Sequence, residues 1–328
     1  MAITTPAPRD AGLERELEAH RRELTGYCYR MLGSGFEAED AVQETMVRAW
    51  RNASQLEARA ALKSWLYRIA TNVCLDMLDT PQRRARPMDL GPSGTADAAI
   101  GPEMPDGTWV LPIASAKVLP DEGDPAELAA ARETLRLAFV AALQHLPPRQ
   151  RAVLILREVL HWRAQEVADL LDTSVASVNS ALQRARATLE QVDLEADQPA
   201  AAELSEEDRR LIDRYLDAFA RYDVDELVTL LHDEVKFSMP PYRLWLQGPD
   251  QVAAWLLGQG IGCRGSRIVA TEANGGVGYA TYRPAEPGTY RPFAVVVLEH
   301  GGGKVTGIHN FLYRGLFDAF GLPAELRD

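Results

Sequence analysis

Between His161 and Glu190 the chain reads HWRAQEVADLLDTSVASVNSALQRARATLE, two amphipathic helices joined by a tight polar turn. In the second helix Val175, Val178, Leu182, Ala185 and Leu189 step by alternating three and four residues, which builds one apolar stripe that must face a core. Ser177, Ser180, Gln183 and Arg184 then point the other way, with Asn179 and Arg186 on the flanks. Serine, amide and guanidinium groups in one row suit hydrogen bonds to base edges and phosphates. Thr173 or Ser174 caps the helix and aims free N–H groups at an anion. The segment has the pattern of a helix-turn-helix that reads duplex DNA.

Whole-chain charge pulls against that reading. The 328 residues carry a formal net charge of −12, whereas a protein holding DNA by electrostatics alone is normally basic. DNA contact must therefore be local and assisted by a partner that supplies most of the phosphate neutralisation. The composition is otherwise that of a soluble globular chain long enough for two or three domains. Cys28, Cys74 and Cys263 are far apart and odd in number, with no spacing for zinc, so neither a metal nor another cofactor is expected. Reduced cysteines, an N-terminus without a signal-peptide core, and no apolar run near the ~20 residues of a membrane span point to a cytoplasmic protein without a membrane partner.

Four regions follow from periodicity and composition. Residues 13–86 are helical in pattern. Residues 87–125 are rich in Pro, Gly, Ala and Asp and read as a flexible linker, although Trp109, Val110 and Leu111 break its polarity. Residues 126–190 are helical again, ending in the helix-turn-helix, and a short acidic connector, 191–202, follows. From 204 to 328 two helices, Glu206–Ala220 and Val224–Leu231, precede strand-like runs at Val235–Met239, Arg267–Ala273, Val277–Tyr282, Phe293–His300 and Lys304–Leu312, with one more helix at Pro249–Leu257. Gly-rich turns at Asn274–Gly276 and Gly301–Gly303 separate the later strands, which makes hairpins and an α+β domain.

Two further segments of the first block carry chemistry. EAEDAVQETMVRAW, Glu37–Trp50, places Glu37, Asp40 and Glu44 near one helical face with Gln43 beside them, opposite an apolar face of Val42, Met46, Ala49 and Trp50. Such a face is either solvated or docks a basic partner; the lack of histidine disfavours a di-metal bundle. ALKSWLYRIATNVCLDMLDTPQRRAR, Ala61–Arg86, interleaves Lys63, Ser64, Trp65, Arg68 and Asn72 with core positions. Aromatic, amide and basic groups together suit a surface that stacks unpaired bases while holding the backbone. Trp65 serves equally well as a core residue, and Arg83, Arg84 and Arg86 form a local basic patch.

In this order the segments resemble the extracytoplasmic-function sigma factors of bacterial RNA polymerase, over roughly residues 13–190. SWLYRIATNVCLDML resembles the family's −10 melting and reading segment. EAEDAVQETMVRAW resembles the segment that docks on the clamp helices of the polymerase β′ subunit. LPPRQRAVLILREVLHWRAQEVADLLDTSVASVNSALQRARATL resembles the domain that reads the −35 element and meets the β flap. The resemblance implies core-polymerase contacts at Asp40, Gln43 and Glu44. It implies a −10 capture loop within Asn52–Ser64 and −10 contacts at Lys63, Ser64, Trp65, Arg68 and Asn72. It implies −35 contacts at Ser177, Asn179, Ser180, Gln183, Arg184 and Arg186. Ala181 stands where many relatives have a basic residue, which weakens phosphate affinity there. An acidic total is then expected, because the polymerase brings the protein to DNA.

The last region resembles the SnoaL-like branch of the nuclear-transport-factor-like fold, through YLDAFARYDVDELVTLLHDEVKFSMPP, a Trp-containing loop and curved strands. The expected architecture is thus two all-α sigma domains followed by an α+β cone with a curved antiparallel sheet. The cone implies an apolar pocket for a small-molecule ligand, lined by Phe237, Met239, Tyr242, Trp245, Trp255, Phe293, His309 and Phe311, about half of which are expected simply to fill core. His232, Asp233, Glu234 and His309 are its candidate bases. No catalytic residue is assigned, since fold analogy does not grant activity; the expectation is a non-enzymatic promoter-specificity factor with a regulatory extension. The alternative is a cyclase- or isomerase-type enzyme with a DNA-binding appendage.

Overall fold

The computed structural model describes residues 11–56, 61–78, 84–191 and 204–328. Four helices, α1 (Ala11–Ala19), α2 (Arg21–Leu32), α3 (Gly35–Arg51) and α4 (Leu62–Met77), form the first unit. Ser34 caps α3 by accepting from the Glu37 N–H, and Gly33 ends α2 in the left-handed region, so two helices turn on two residues. Leu24, Tyr27, Met31, Ala41, Leu66 and Val73 fill the core between them, all essentially unexposed.

A second helical unit comprises α5 (Pro125–Glu133), α6 (Leu137–Leu143), α7 (Pro148–Leu154) with a π turn at Ile155–Val159, α8 (Ala164–Leu170) and α9 (Val175–Glu190). Between α8 and α9 the chain turns through Asp172 at φ +50°, and Ser174 caps α9 by accepting from the Ser177 N–H. Val178, Leu182 and Ala185 are the buried residues of α9, as the stripe requires.

The last unit opens with α10 (Glu206–Arg221) and α11 (Val224–Leu230), followed by β1 (Leu231–Ser238), β2 (Trp245–Gln247) and α12 (Pro249–Leu257). Strands β3 (Arg267–Ala273), β4 (Gly276–Pro284), β5 (Thr289–Gly301) and β6 (Lys304–Phe311), helix α13 (Gly315–Ala319) and the short β7 (Leu326–Arg327) complete it. The sheet order is β2-β1-β6-β5-β4-β3, with β7 pairing β5. Only the β1–β6 pair is parallel. The five expected strands and three expected helices of this region are all present, and β3 and α12 keep their expected bounds.

Alternate residues of the sheet face different partners. Tyr279, Val296, Leu298 and Ile308 share a cluster with α10–α12, including Tyr215, Phe219 and Trp255. Ala280, Tyr282, Val295, Val297 and Phe311 belong instead to the cluster of the two helical units. The sheet is therefore covered on both sides, by its own helices on one and by the rest of the chain on the other.

The segment expected to be a flexible linker is docked. Two backbone bonds of Ala85 close residues 86–108 into a loop: its N–H donates to Thr108 O at 2.9 Å, and its carbonyl accepts from Val110 N at 3.1 Å. That loop lies on the carboxy-terminal domain. Gly94 N donates to Trp245 O, Met104 N to Pro241 O, and the Gln259 amide to the carbonyls of Ala96 and Ala98. Trp109 is 1% exposed and its indole N–H donates to Pro241 O at 2.9 Å. The composition signals a lack of helix and strand, not a lack of partners; the backbone groups are satisfied across the domain boundary instead. Trp109→Ala should cost about 3–5 kcal/mol, the range for emptying a buried tryptophan site. Limited proteolysis should then cut within 87–108 faster than in the wild type.

Candidate functional site

The three nucleic-acid and docking surfaces can be located residue by residue. On α9, Ser177, Asn179, Ser180, Gln183, Arg184 and Arg186 are all exposed. Ser177 Oγ is 3.0 Å from the capping Ser174 Oγ, and Arg186 leans away to pair with Glu158 at 2.7 Å. Ser180, Gln183 and Arg184 make no side-chain hydrogen bond to any described residue and form the open part of the row.

On α4, Lys63, Ser64, Arg68 and Asn72 are exposed and Trp65 is half-buried against the core. Lys63 pairs with Glu23 at 2.7 Å, and Ser64 donates to Ala61 O. Arg68 donates from Nη2 to the carbonyl of Asp169 at 2.5 Å, in α8 of the helix-turn-helix. One position earlier, the buried Tyr67 ring stacks at 5.0 Å on Trp162, which leads into α8. The α4 and α8–α9 surfaces expected to read DNA are thus in direct contact. Residues 57–60 of the expected capture loop, Arg83 and residues 192–203 lie outside the described residues. Arg84 and Arg86 are not a free basic patch: Arg84 is buried and bonds Trp109 O and Glu37, and Arg86 pairs with Asp89 at 3.1 Å.

On α3, Asp40 and Gln43 are exposed and Glu44 pairs with Arg48 at 2.7 Å. Val42, Met46 and Ala49 are buried as expected, but Trp50 is 54% exposed. Its spacing from Gln43, seven residues, carries it to the acidic side. Asp40 and Gln43 also line a cavity of about 600 Å³ with Arg21 and Arg22, and Lys117 of the linker closes one side by pairing with Glu39 at 2.5 Å.

The carboxy-terminal candidates are buried. Phe237, Met239, Trp245, Trp255, His309 and Phe311 are each 8% exposed or less. Phe237 and Trp255 lie 6.3 Å apart within the cone's core, Trp245 donates its indole N–H to Gly91 O, and Phe311 faces the helical units. Tyr242 reaches Glu103 at 3.2 Å, and Phe293 lies under the Arg283 guanidinium. His309 stands between Ser238 Oγ, 2.9 Å from Nδ1, and Glu299 Oε2, 3.2 Å from Nε2. The second contact is at ion-pair distance but off the line of a hydrogen bond. Gly307 makes the room, since a Cβ there would stand 2.6 Å from Glu299 Oε2.

Asn274, which the sequence marks only as a hairpin turn, proves to be a junction. It is 3% exposed at φ +56°. Its Nδ2 donates to Tyr29 Oη of α2 at 2.6 Å and to Leu135 O before α6 at 2.7 Å. Its Oδ1 accepts from Ile113 N at 3.1 Å, and its own N–H donates to Ile113 O. Next to it Gly275 N donates to Ser115 Oγ. One side chain therefore joins the first helical unit, the linker and the second helical unit to the β3–β4 hairpin. The only sequence signal was an Asn where a turn needs the left-handed region.

Burial by itself would raise the Glu299 carboxyl. The charge and contact of His309, with Arg86 and Arg136 beyond it, outweigh burial and bring it down to about 2. A depressed carboxyl contributes stability that is complete above its unfolded value and is lost as pH falls toward the folded one. Glu299→Gln should therefore cost on the order of 2 kcal/mol at neutral pH. The gap in urea midpoint between wild type and variant should close progressively as pH is lowered from about 4.5 through about 2.

Comparison with known proteins gives three successive family matches: Sigma-70 region 2 over residues 17–84, Sigma-70 region 4 over 136–189, and a SnoaL-like domain over 212–308. The chain is 42% identical over 311 residues to the ECF RNA polymerase sigma factor SigG of Mycobacterium tuberculosis, covering 94% of this chain and 83% of that protein. It is 30% identical over 308 residues to SigJ of the same organism, covering 89% of each. The crystal structure of SigJ matches with a TM-score of 0.60 at 24% identity, over 94% of this chain and all of that one.

Proposed function

Because this chain belongs to the extracytoplasmic-function RNA polymerase sigma factors, which bind core polymerase and direct promoter-specific initiation, we propose that its SnoaL-like domain regulates that activity by clasping the two promoter-reading domains together. The observation that carries the reading is the Asn274 junction, a single buried amide bonded to both sigma domains and to the linker. The domains fall at residues 13–86, 126–190 and 204–328, with 87–125 as a docked strap.

The closed arrangement is at odds with promoter reading. Elements centred near −10 and −35 are roughly 25 base pairs apart, about 85 Å of B-form duplex. Here the −10 helix α4 touches α8 of the −35 reader through Arg68 and Tyr67. Both elements can be read together only after the domains separate. The two units share one apolar cluster, which separation exposes to water, but the polar contacts between them are of a kind water can replace. Arg30 of α2 donates to Thr134 Oγ1 at 2.7 Å and Thr134 O at 3.2 Å, and Arg151 of α7 donates to Met31 O. Guanidinium-to-carbonyl contacts exchange for water at modest net cost, as suits an interface that opens.

In the open form, Ser180, Gln183 and Arg184 read −35 bases and phosphates; Ser64, Arg68 and Asn72 meet the −10 strand; and Trp65 stays mainly structural. Asp40, Gln43 and Glu44 dock on the β′ clamp helices, with exposed Trp50 as their apolar anchor, while the second domain meets the β flap.

Gln183→Ala and Arg184→Ala should each lower run-off transcription from a cognate promoter by about 5–100-fold, the cost of one good base contact. Core polymerase binding should not change; wild-type transcription in both would remove the −35 assignment. Asp40→Ala and Trp50→Ala should weaken co-purification with core polymerase. Asn274→Ala leaves several partners unpaired, on the order of 3 kcal/mol of clasp stability, and should raise transcription at fixed core concentration. Unchanged transcription, with separation of α4 and α8 verified by distance measurement, would defeat the clasp.

A further inference from the structure

A cleft of about 810 Å³ lies beside the clasp, between α10, the β3–β4 hairpin, the end of β5 and the segment from Arg132 to Leu137. Its volume is in the range of small-molecule sites. It is distinct from the cone interior, which Tyr215, Phe219, Phe237 and Trp255 fill. Leu137, Ile212, Leu216 and Val277 supply apolar wall. Of three lining arginines, Arg136 pairs with Glu133 at 3.8 Å, whereas the side chains of Arg132 and Arg209 have no hydrogen bond or ion pair with any described residue. The stem of Arg132 is fixed, since it lies so close over Gly275 that a Cβ there would come within 2.9 Å of it.

The inner acids are already matched. Asp208 is held by Ser205 at 2.6 Å and by His300 at 3.2 Å. Glu299 is held ionised by His309 and by the nearby Arg86 and Arg136. The unmatched acids, Asp213 and Glu272, are exposed at the rim. Half-buried Arg132 is left as the unanswered charge of the inner wall.

We infer that this cleft binds an organic carboxylate with an apolar body, its head on Arg132 and Arg209 and its body against Leu137, Ile212, Leu216 and Val277. Arg132 belongs to α5 of the −35 domain and the other walls to the SnoaL-like domain, so the occupant bridges them. Resting on the clasp reading, such a ligand stabilises the closed form by mass action and lowers transcription.

Titration of the full-length chain with sub-micellar dodecanoate by calorimetry tests the site. Saturable one-to-one binding is expected. It should weaken at least tenfold in the double variant Arg132→Gln/Arg209→Gln, be largely retained in Arg132→Lys, and be unchanged in Arg210→Gln, an exposed control on the same helix. Dodecylammonium should bind at least tenfold more weakly than dodecanoate. No saturable binding, equal affinity in the double variant, or equal affinity for the cation would each overturn the inference. If dodecanoate binds as described yet leaves transcription unchanged, the site stands and the clasp reading falls. If Asn274→Ala raises transcription but no carboxylate binds, the clasp stands and the site falls.

Discussion

Strand β5 has no polar face along Ala294–Leu298, and the architecture depends on that fact. All five residues are buried, Ala294, Val296 and Leu298 toward the cone helices and Val295 and Val297 toward the sigma domains. An antiparallel sheet ordinarily leaves one face to water. Here each buried valine or leucine contributes about 1.5–3 kcal/mol, so the second face must be covered. The covering is the rest of the chain: Tyr282, Phe311, Leu316 and Phe317 complete the patch, and α13 reaches Phe36 of α3. The carboxy-terminal domain is not an appendage on a tether but one wall of a common core.

Polar bonds then decide the register of that apolar contact. Area burial is non-directional, whereas Asn274 can satisfy Tyr29, Leu135 and Ile113 in one arrangement only. The linker follows the same logic, with its irregular backbone paired to Trp245, Pro241 and Gln259. Between the two sigma domains themselves, arginines on carbonyls set the geometry of a shared apolar cluster.

Asp40, Gln43 and Trp50 are exposed together on α3, while the free row on α9 carries only Arg184 as a cation unpaired among the described residues. Such a protein gains little from DNA alone.

The sequence by itself determined the elements and their order. Three-and-four stepping of Val175, Val178, Leu182, Ala185 and Leu189 is a local property of one helix, and alternation with Gly-rich turns is a local property of hairpins. For that reason α9, α12 and β3–β6 were legible, as were the exposed rows on α4 and α9. Tertiary structure alone decided which surfaces meet. Phe237 and Trp255 became neighbours within the cone's apolar cluster, and His309 was set between Ser238 and Glu299. Asn274 became a junction because three segments far apart in sequence converge on one hairpin tip. Helical stepping and turn chemistry are set by neighbours along the chain, whereas burial and hydrogen-bond partnership are set by whatever the fold brings near.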